Sequence, residues 1–214
     1  MPCLKFHRLG ICDYADTVRD MRSWNDAPSR NTPDQIWLLE HYPVYTQGVS
    51  CRDRPRDTSN TIPVVHSDRG GQITYHGPGQ LVAYLMLDLR RLGFGVRRLV
   101  HVIEQSLMIL LQDLKLDATT RPGAPGVYIQ GEKIAALGLR VRSGCCYHGL
   151  SLNVDLDLQP FDHINPCGFD DLAVTSLEKQ GVTLTVPEVA DRLQAVLSQT
   201  LRRESTVNEE AVIN

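Results

Sequence analysis

Six cysteines lie along the chain: Cys3, Cys12, Cys51, Cys145, Cys146 and Cys167. One activated thiol is enough for nucleophilic acyl transfer. Cys167 stands in INPCGF, between a proline and a glycine and beyond the last expected strand. A loop held by a rigid scaffold is where reactive side chains tend to sit. Cys145 and Cys146 stand in SGCCYHG between two expected strands, where a core or turn role is equally open. A free thiol titrates near ~8.5, so little of it is thiolate at neutral pH. A cation about 4 Å away contributes roughly 4 kcal/mol at an effective dielectric of 20, before desolvation is subtracted. Part of that would bring a thiol into the neutral range. Lys133, in GEKIAA, is one such cation, or else a solvated charge at a strand end. His76, His148 or His163 offers the alternative of a cysteine–histidine pair. Cys145, Cys146 and His148 make a poor zinc site, because adjacent cysteines have the wrong spacing, and no metal is expected.

The second cluster of chemistry is the glycine-rich segment at residues 69–84, RGGQITYHGPGQLVAY. Gly70, Gly71, Gly77 and Gly79 let backbone approach a ligand closely, Arg69 offers a planar donor fork, and His76 donates or accepts near neutral pH. A turn-rich hairpin with structural glycines would have the same composition. The segment has neither the spacing of a phosphate-cradling loop nor that of a dinucleotide fingerprint.

These residues need elements to position them. Val96, Leu99, Val100, Ile103, Leu107, Leu110, Leu111 and Leu114 recur at helical spacing. A second helix is predicted over 186–202, opened by a Thr185/Glu188 capping box with Pro187 in its first turn. A third covers about 14–24. Strands are expected at 35–40, 62–65, 81–87, 127–129, 133–141 and 148–154. In the last, Leu150, Leu152 and Val154 suggest one buried face. Three strands in succession over 127–154 imply antiparallel hairpins rather than strand–helix–strand repeats. The expected fold class is α/β (α+β): a mixed, largely antiparallel sheet flanked by helices.

Composition bounds the rest. At 214 residues, one domain over 1–203 with a flexible tail over 204–214 is expected. A net charge of −3 argues against a nucleic-acid partner, and no apolar run is long enough for a membrane helix. No export signal precedes the cysteines, so reduced thiols in the cytoplasm are expected.

The segment RGGQITYHGPGQLVAY closely resembles the signature of the lipoyl (octanoyl) transferases, relatives of the lipoate and biotin protein ligases. GEKIAALGLRVR at 131–142 resembles that family's lysine strand, YHGLSLNVDLDL at 147–158 the strand after it, and FDHINPCGF at 161–169 its nucleophile loop. The four motifs follow the family's order over about residues 40–177. The resemblance implies the biotin/lipoate-ligase catalytic fold, Cys167 as the acyl-thioester position and Lys133 as its activator. It implies substrate binding by Arg69, Gly70, Gly71, Gln72, Ile73, Thr74, Tyr75 and His76, by Ala136, Leu137 and Gly138, and by Gly149, Leu150 and Ser151. Gly77 and His148 are possible additions. It implies an octanoyl-acyl-carrier protein as donor, and lipoyl domains of 2-oxoacid dehydrogenase E2 subunits or glycine-cleavage H protein as acceptors. No cofactor is implied, since a thioester is already activated. Small side chains at Ala135, Ala136 and Gly138 would leave room for the acyl chain. An acidic carrier would favour a basic docking patch among Arg52, Arg54 and Arg56, Arg90 and Arg91, Arg97 and Arg98, or Arg140 and Arg142.

Overall fold

The computed structural model describes residues 4–26, 32–51, 55, 62–164 and 173–213, with 206–213 as backbone only. Chain order is β1 (Lys5–Cys12), α1 (Tyr14–Asp26), β2 (Gln35–His41), β3 (Val44–Gln47), β4 (Val64–His66), β5 (Ile73–His76), β6 (Gln80–Asp88), α2 (Leu89–Leu92), α3 (Val96–Asp113), β7 (Thr119–Thr120), β8 (Gly126–Ile129), β9 (Glu132–Arg142), β10 (Cys145–Asn153) and α4 (Val186–Ile213). A short 3₁₀ turn, Gln159–His163, precedes the Cys167 stretch.

Seven strands form one sheet in the order β1-β2-β6-β10-β9-β8-β7. Only β1 and β2 are parallel; the remaining neighbours are antiparallel. The expected succession of hairpins is β8, β9 and β10. A second, three-stranded sheet runs β4-β3-β5.

Strand β6 shows why the sheet carries layers on both faces. Leu81, Ala83, Leu85 and Leu87 point into a core closed by α3 and α4, through Leu99, Ile103, Leu107, Val189, Leu193 and Leu197. Val82, Tyr84 and Met86 point the other way, against Tyr14, Val18 and Met21 of α1. Successive strand side chains alternate in direction, so an all-apolar strand must be buried on both faces. Strand β10 behaves likewise and is buried along its whole length, rather than on the single face expected.

Helix α4 opens as its capping box demands: Glu188 accepts hydrogen bonds from the Thr185 N–H (2.8 Å) and hydroxyl (2.7 Å). It runs to Ile213, past the expected end at Arg202 and through the stretch read as a tail. Arg98 of α3 bonds both the carbonyl and the carboxylate of Glu204, which ties this extension to its neighbour. Strands β1, β3, β5 and β7 escape the periodicity reading; they are short or exposed, and β5 lies inside the glycine-rich segment.

Candidate active site

The glycine-rich segment, β9 and β10 meet around one groove of about 760 Å³, part of it open to solvent. Of the expected substrate-binding residues, all but Gly70 and Tyr75 line it. Lys133 and His148 line it as well, together with Tyr14, Gln80, Tyr84, Asn153, Phe161 and Val174, which the sequence reading did not single out for binding. Tyr75 turns away and packs on Tyr45 and Phe161. Gly70 instead fixes the loop to β9, its N–H donating to the Leu139 carbonyl (2.9 Å).

Lys133 is no solvated strand-end charge: only 3% of its surface is exposed. Its Nζ donates to the Pro125 carbonyl (3.3 Å) and lies 5.1 Å from the centroid of the Tyr128 ring. A buried lysine amine needs such partners. Gly126 makes the space. A Cβ there would stand 3.1 Å from Lys133 Cε and 3.3 Å from Nζ, and its φ of +143° belongs to glycine. The Lys133 main chain pairs with the segment after residue 172, its N–H donating to the Ala173 carbonyl (2.8 Å) and its carbonyl accepting from the Thr175 N–H (3.0 Å).

Cys167 itself lies outside the described residues. The chain on either side of that stretch lines the groove, at Phe161 before it and Val174 after it. The rival thiols are poorly suited to nucleophilic attack. Cys146 is fully buried, its Sγ 3.1 Å from the Leu85 carbonyl, and burial pushes its thiol up to about 12. Burial also raises the Cys145 thiol. Among the described residues no histidine, cysteine or carboxylate cluster could hold a metal ion.

Arg69 spends its donors on the protein. Its guanidinium bonds the Thr46 hydroxyl and carbonyl and the carbonyls of Gly70 and Gln72 (2.5–3.0 Å). The fork holds the glycine loop in shape. Gly138 leaves room for that arrangement: a Cβ there would meet Gly70 O at 3.0 Å and Arg69 Cδ at 3.2 Å.

Beneath the groove lies a polar floor. The Tyr147 hydroxyl (2.6 Å) and His148 Nε2 (2.9 Å) both reach the Asp68 carboxylate, although adjacent strand residues should face opposite ways. The φ of +61° at His148 turns its side chain to the face Tyr147 occupies. Hydrogen bonds from His148, Tyr147 and Arg22 hold Asp68 well below the usual carboxylate range, while burial lowers the His148 pKa. His41 donates from Nδ1 to the Cys12 carbonyl (3.0 Å), so its Nε2 accepts from the Tyr84 hydroxyl (2.7 Å). Burial lowers His41 to about 4 and His76 to about 3. Asp68 and His41 gave no sequence signal beyond their types; Gln80 stood in the glycine-rich segment without a role.

Several expected docking arginines pair with carboxylates of the chain itself. Arg90 bonds Asp88, Arg91 bonds Asp34, Arg98 bonds Glu204 and Arg142 bonds Asp26. Arg52, Arg54 and Arg56 lie outside the described residues. No helix among the described residues is long and apolar enough to cross a membrane.

A mixed sheet backed by helices is the fold this chain shares with solved lipoate- and biotin-protein ligases. A lipoate-protein ligase A solved with ATP superposes with a TM-score of 0.78 at 15% identity, over 92% of this chain and 85% of that one. Biotin protein ligase from Aquifex aeolicus superposes at 0.62 and 15% identity, over 95% and 72%. The chain belongs to the lipoyl protein ligase A/B catalytic domain family, whose model matches residues 19–198. An octanoyltransferase of Pseudomonas savastanoi pv. phaseolicola is 53% identical over 194 residues, 91% of this chain and 89% of its own. One from Saccharophagus degradans is 48% identical over 215 residues, 98% and 99% of the two chains. One from Chromobacterium violaceum is 51% identical over 193 residues, 90% and 93%.

Proposed function

We propose that the chain is an octanoyltransferase that carries its acyl group on Cys167 during transfer, with residues 1–203 as one catalytic domain working in the cytoplasm. The observation that carries this reading is Lys133, buried in the groove wall and hydrogen-bonded along its main chain to the segment that follows Cys167. The relatives named octanoyltransferases, about half identical over nine-tenths of the chain or more, support it.

The donor is an octanoyl-acyl-carrier protein. Lys133 takes the Cys167 proton. The thiolate attacks the thioester carbonyl, the carrier's carbon–sulfur bond breaks, and Lys133 returns the proton to the departing carrier thiolate. The acceptor is a lysine of a lipoyl domain of a 2-oxoacid dehydrogenase E2 subunit or of glycine-cleavage H protein. Its amine attacks the Cys167 thioester, forms the amide and releases the Cys167 sulfur. One thioester is exchanged for another and then for an amide, so no nucleotide and no cofactor enters the scheme.

The groove suits the cargo. At about 0.8 kcal/mol per buried CH₂, an eight-carbon chain gains roughly 5 kcal/mol on entering it, enough for chain length to be read from depth. Gln72, Ile73, Thr74, Ala136, Leu137, Gly149, Leu150 and Ser151 would line the chain and its carbonyl. Supplying octanoyl carrier and an apo lipoyl domain without ATP tests the reading. Amide formation on the domain supports it. Octanoylation that appears only with free octanoate and ATP contradicts it and points to a ligase.

A further inference from the structure

Strands β9, β10 and β6 cross the groove in register, and one rung of that ladder forms a narrow lane. Ala136 pairs with Ser151 and Ser151 with Val82, so three groove-lining side chains of rising bulk lie in a row across the sheet. Burial rises along the same row: Ala136 is half-buried, Ser151 is 6% exposed and Val82 1%. The lane therefore opens at β9 and ends at β6. The rungs on either side are closed to an alkyl chain. Toward Lys133, the amides of Gln80 and Asn153 span β6 and β10 through a 2.9 Å hydrogen bond, and their remaining bonds go to His76 and to the Tyr75 and Thr175 carbonyls. Those amides are satisfied, so an apolar neighbour leaves none of them stranded. The rung on the other side is Gly138, Gly149 and Tyr84. There Gly70 O and Arg69 Cδ fill the space over Gly138, and the Tyr84 ring occupies the β6 end. Behind Val82 stands a packed cluster of Tyr14, Leu39, Val44 and Tyr84, which backs the end of the lane with dense core.

Resting on the proposed transferase reading, we propose that Val82 sets the length of the acyl group: the chain enters over Ala136, crosses Ser151 and ends with its terminal methyl on Val82. Two interstrand spacings separate β9 from β6, about 9.6 Å in all. Carbon–carbon bonds of about 1.5 Å at about 111° advance roughly 1.25 Å each, so an extended octanoyl chain spans about 9 Å and fills the lane. A dodecanoyl chain would need about 14 Å, and Val82 leaves no room for its last carbons. A butanoyl chain spans about 4 Å and stops short of Val82, so it forfeits the burial that the deep end of the lane provides.

Val82→Ala opens the end of the lane and Val82→Phe fills it. Hexanoyl, octanoyl, decanoyl and dodecanoyl carriers are each supplied with an apo lipoyl domain, and kcat/KM is read from the intact mass of the domain. In Val82→Ala the ratio of decanoyl to octanoyl transfer should rise about tenfold or more, the discrimination that a single methylene gives in an apolar pocket. In Val82→Phe the ratio of hexanoyl to octanoyl transfer should rise by a similar factor. If the phenylalanine variant does not fold, Val82→Ile, which adds one methylene, decides by the same direction of shift. A loss common to all chain lengths, or a length profile that the substitutions leave unchanged, overturns the inference while the wild type still transfers octanoyl. A wild-type protein that moves no acyl group from the carrier overturns the transferase reading and this inference with it.

Discussion

Lys133 and Ala173 are joined by a 2.8 Å main-chain hydrogen bond, and the Thr175 N–H closes the pair from the other side at 3.0 Å. The segment that follows the candidate nucleophile is therefore registered against the strand carrying the candidate activator. Regular backbone pairing places such groups more precisely than side-chain contact alone. Lys133→Met keeps the length and apolar stem and removes the amine. Its octanoyl transfer should fall at least 100-fold, with Cys167 acylation slowed, when single-turnover rates are followed at neutral pH.

Helix α3 was legible because its apolar stripe buries: Leu99, Ile103, Leu107 and Leu110 are all at most 1% exposed. The β8–β9–β10 hairpins were legible from turns separating short apolar runs. Strand β1 was not. Its outer positions, Leu9 and Ile11, are 41% and 45% exposed on a sheet edge, and a register shift between Arg8 and Gly10 interrupts its pairing. In the site, the glycine-rich motif located the groove, but the hydrogen bonds that tie the Arg69 fork to its loop could not be read from type and spacing. The Asp68 cluster was unreadable because it depends on the positive φ of His148, which defeats strand alternation.

Gly126 is the position where a single methyl should disturb Lys133. A Cβ would crowd Cε and Nζ and would sit at a φ of +143°. Gly126→Ala should lower stability by about 1–3 kcal/mol and activity by at least tenfold. Urea unfolding and transfer rates on the same preparation check both.

The buried histidines set the acid limb of stability. His41 falls to about 4 and His76 to about 3 in the folded protein, against ~6.5 when unfolded. Between these values the unfolded chain binds more protons, so stability rises with pH and levels off above about 6.5. The slope should be on the order of 1 kcal/mol per pH unit for each histidine, opposed by Asp34, whose pKa burial raises. Unfolding midpoints from pH 4 to 8 check the curve; a midpoint rising steadily as pH falls would reverse the sign.

Thiol reactivity separates the cysteines. Cys146 should resist iodoacetamide until the protein unfolds, because its thiol is buried and raised to about 12. Cys146→Ala should keep transfer within about threefold while costing a fraction of a buried side chain in stability, roughly 1 kcal/mol. Peptide mapping of labelled native protein checks the order of modification.

Cys167 as acyl carrier is the centre of the account. Incubation with octanoyl carrier and no ATP, followed by intact-mass and peptide analysis, should show one octanoyl group on Cys167, formed quickly in the wild type and at least about 100-fold more slowly in Lys133→Met. Full transfer activity in Cys167→Ala, or an octanoyl group mapped to another residue, would contradict it.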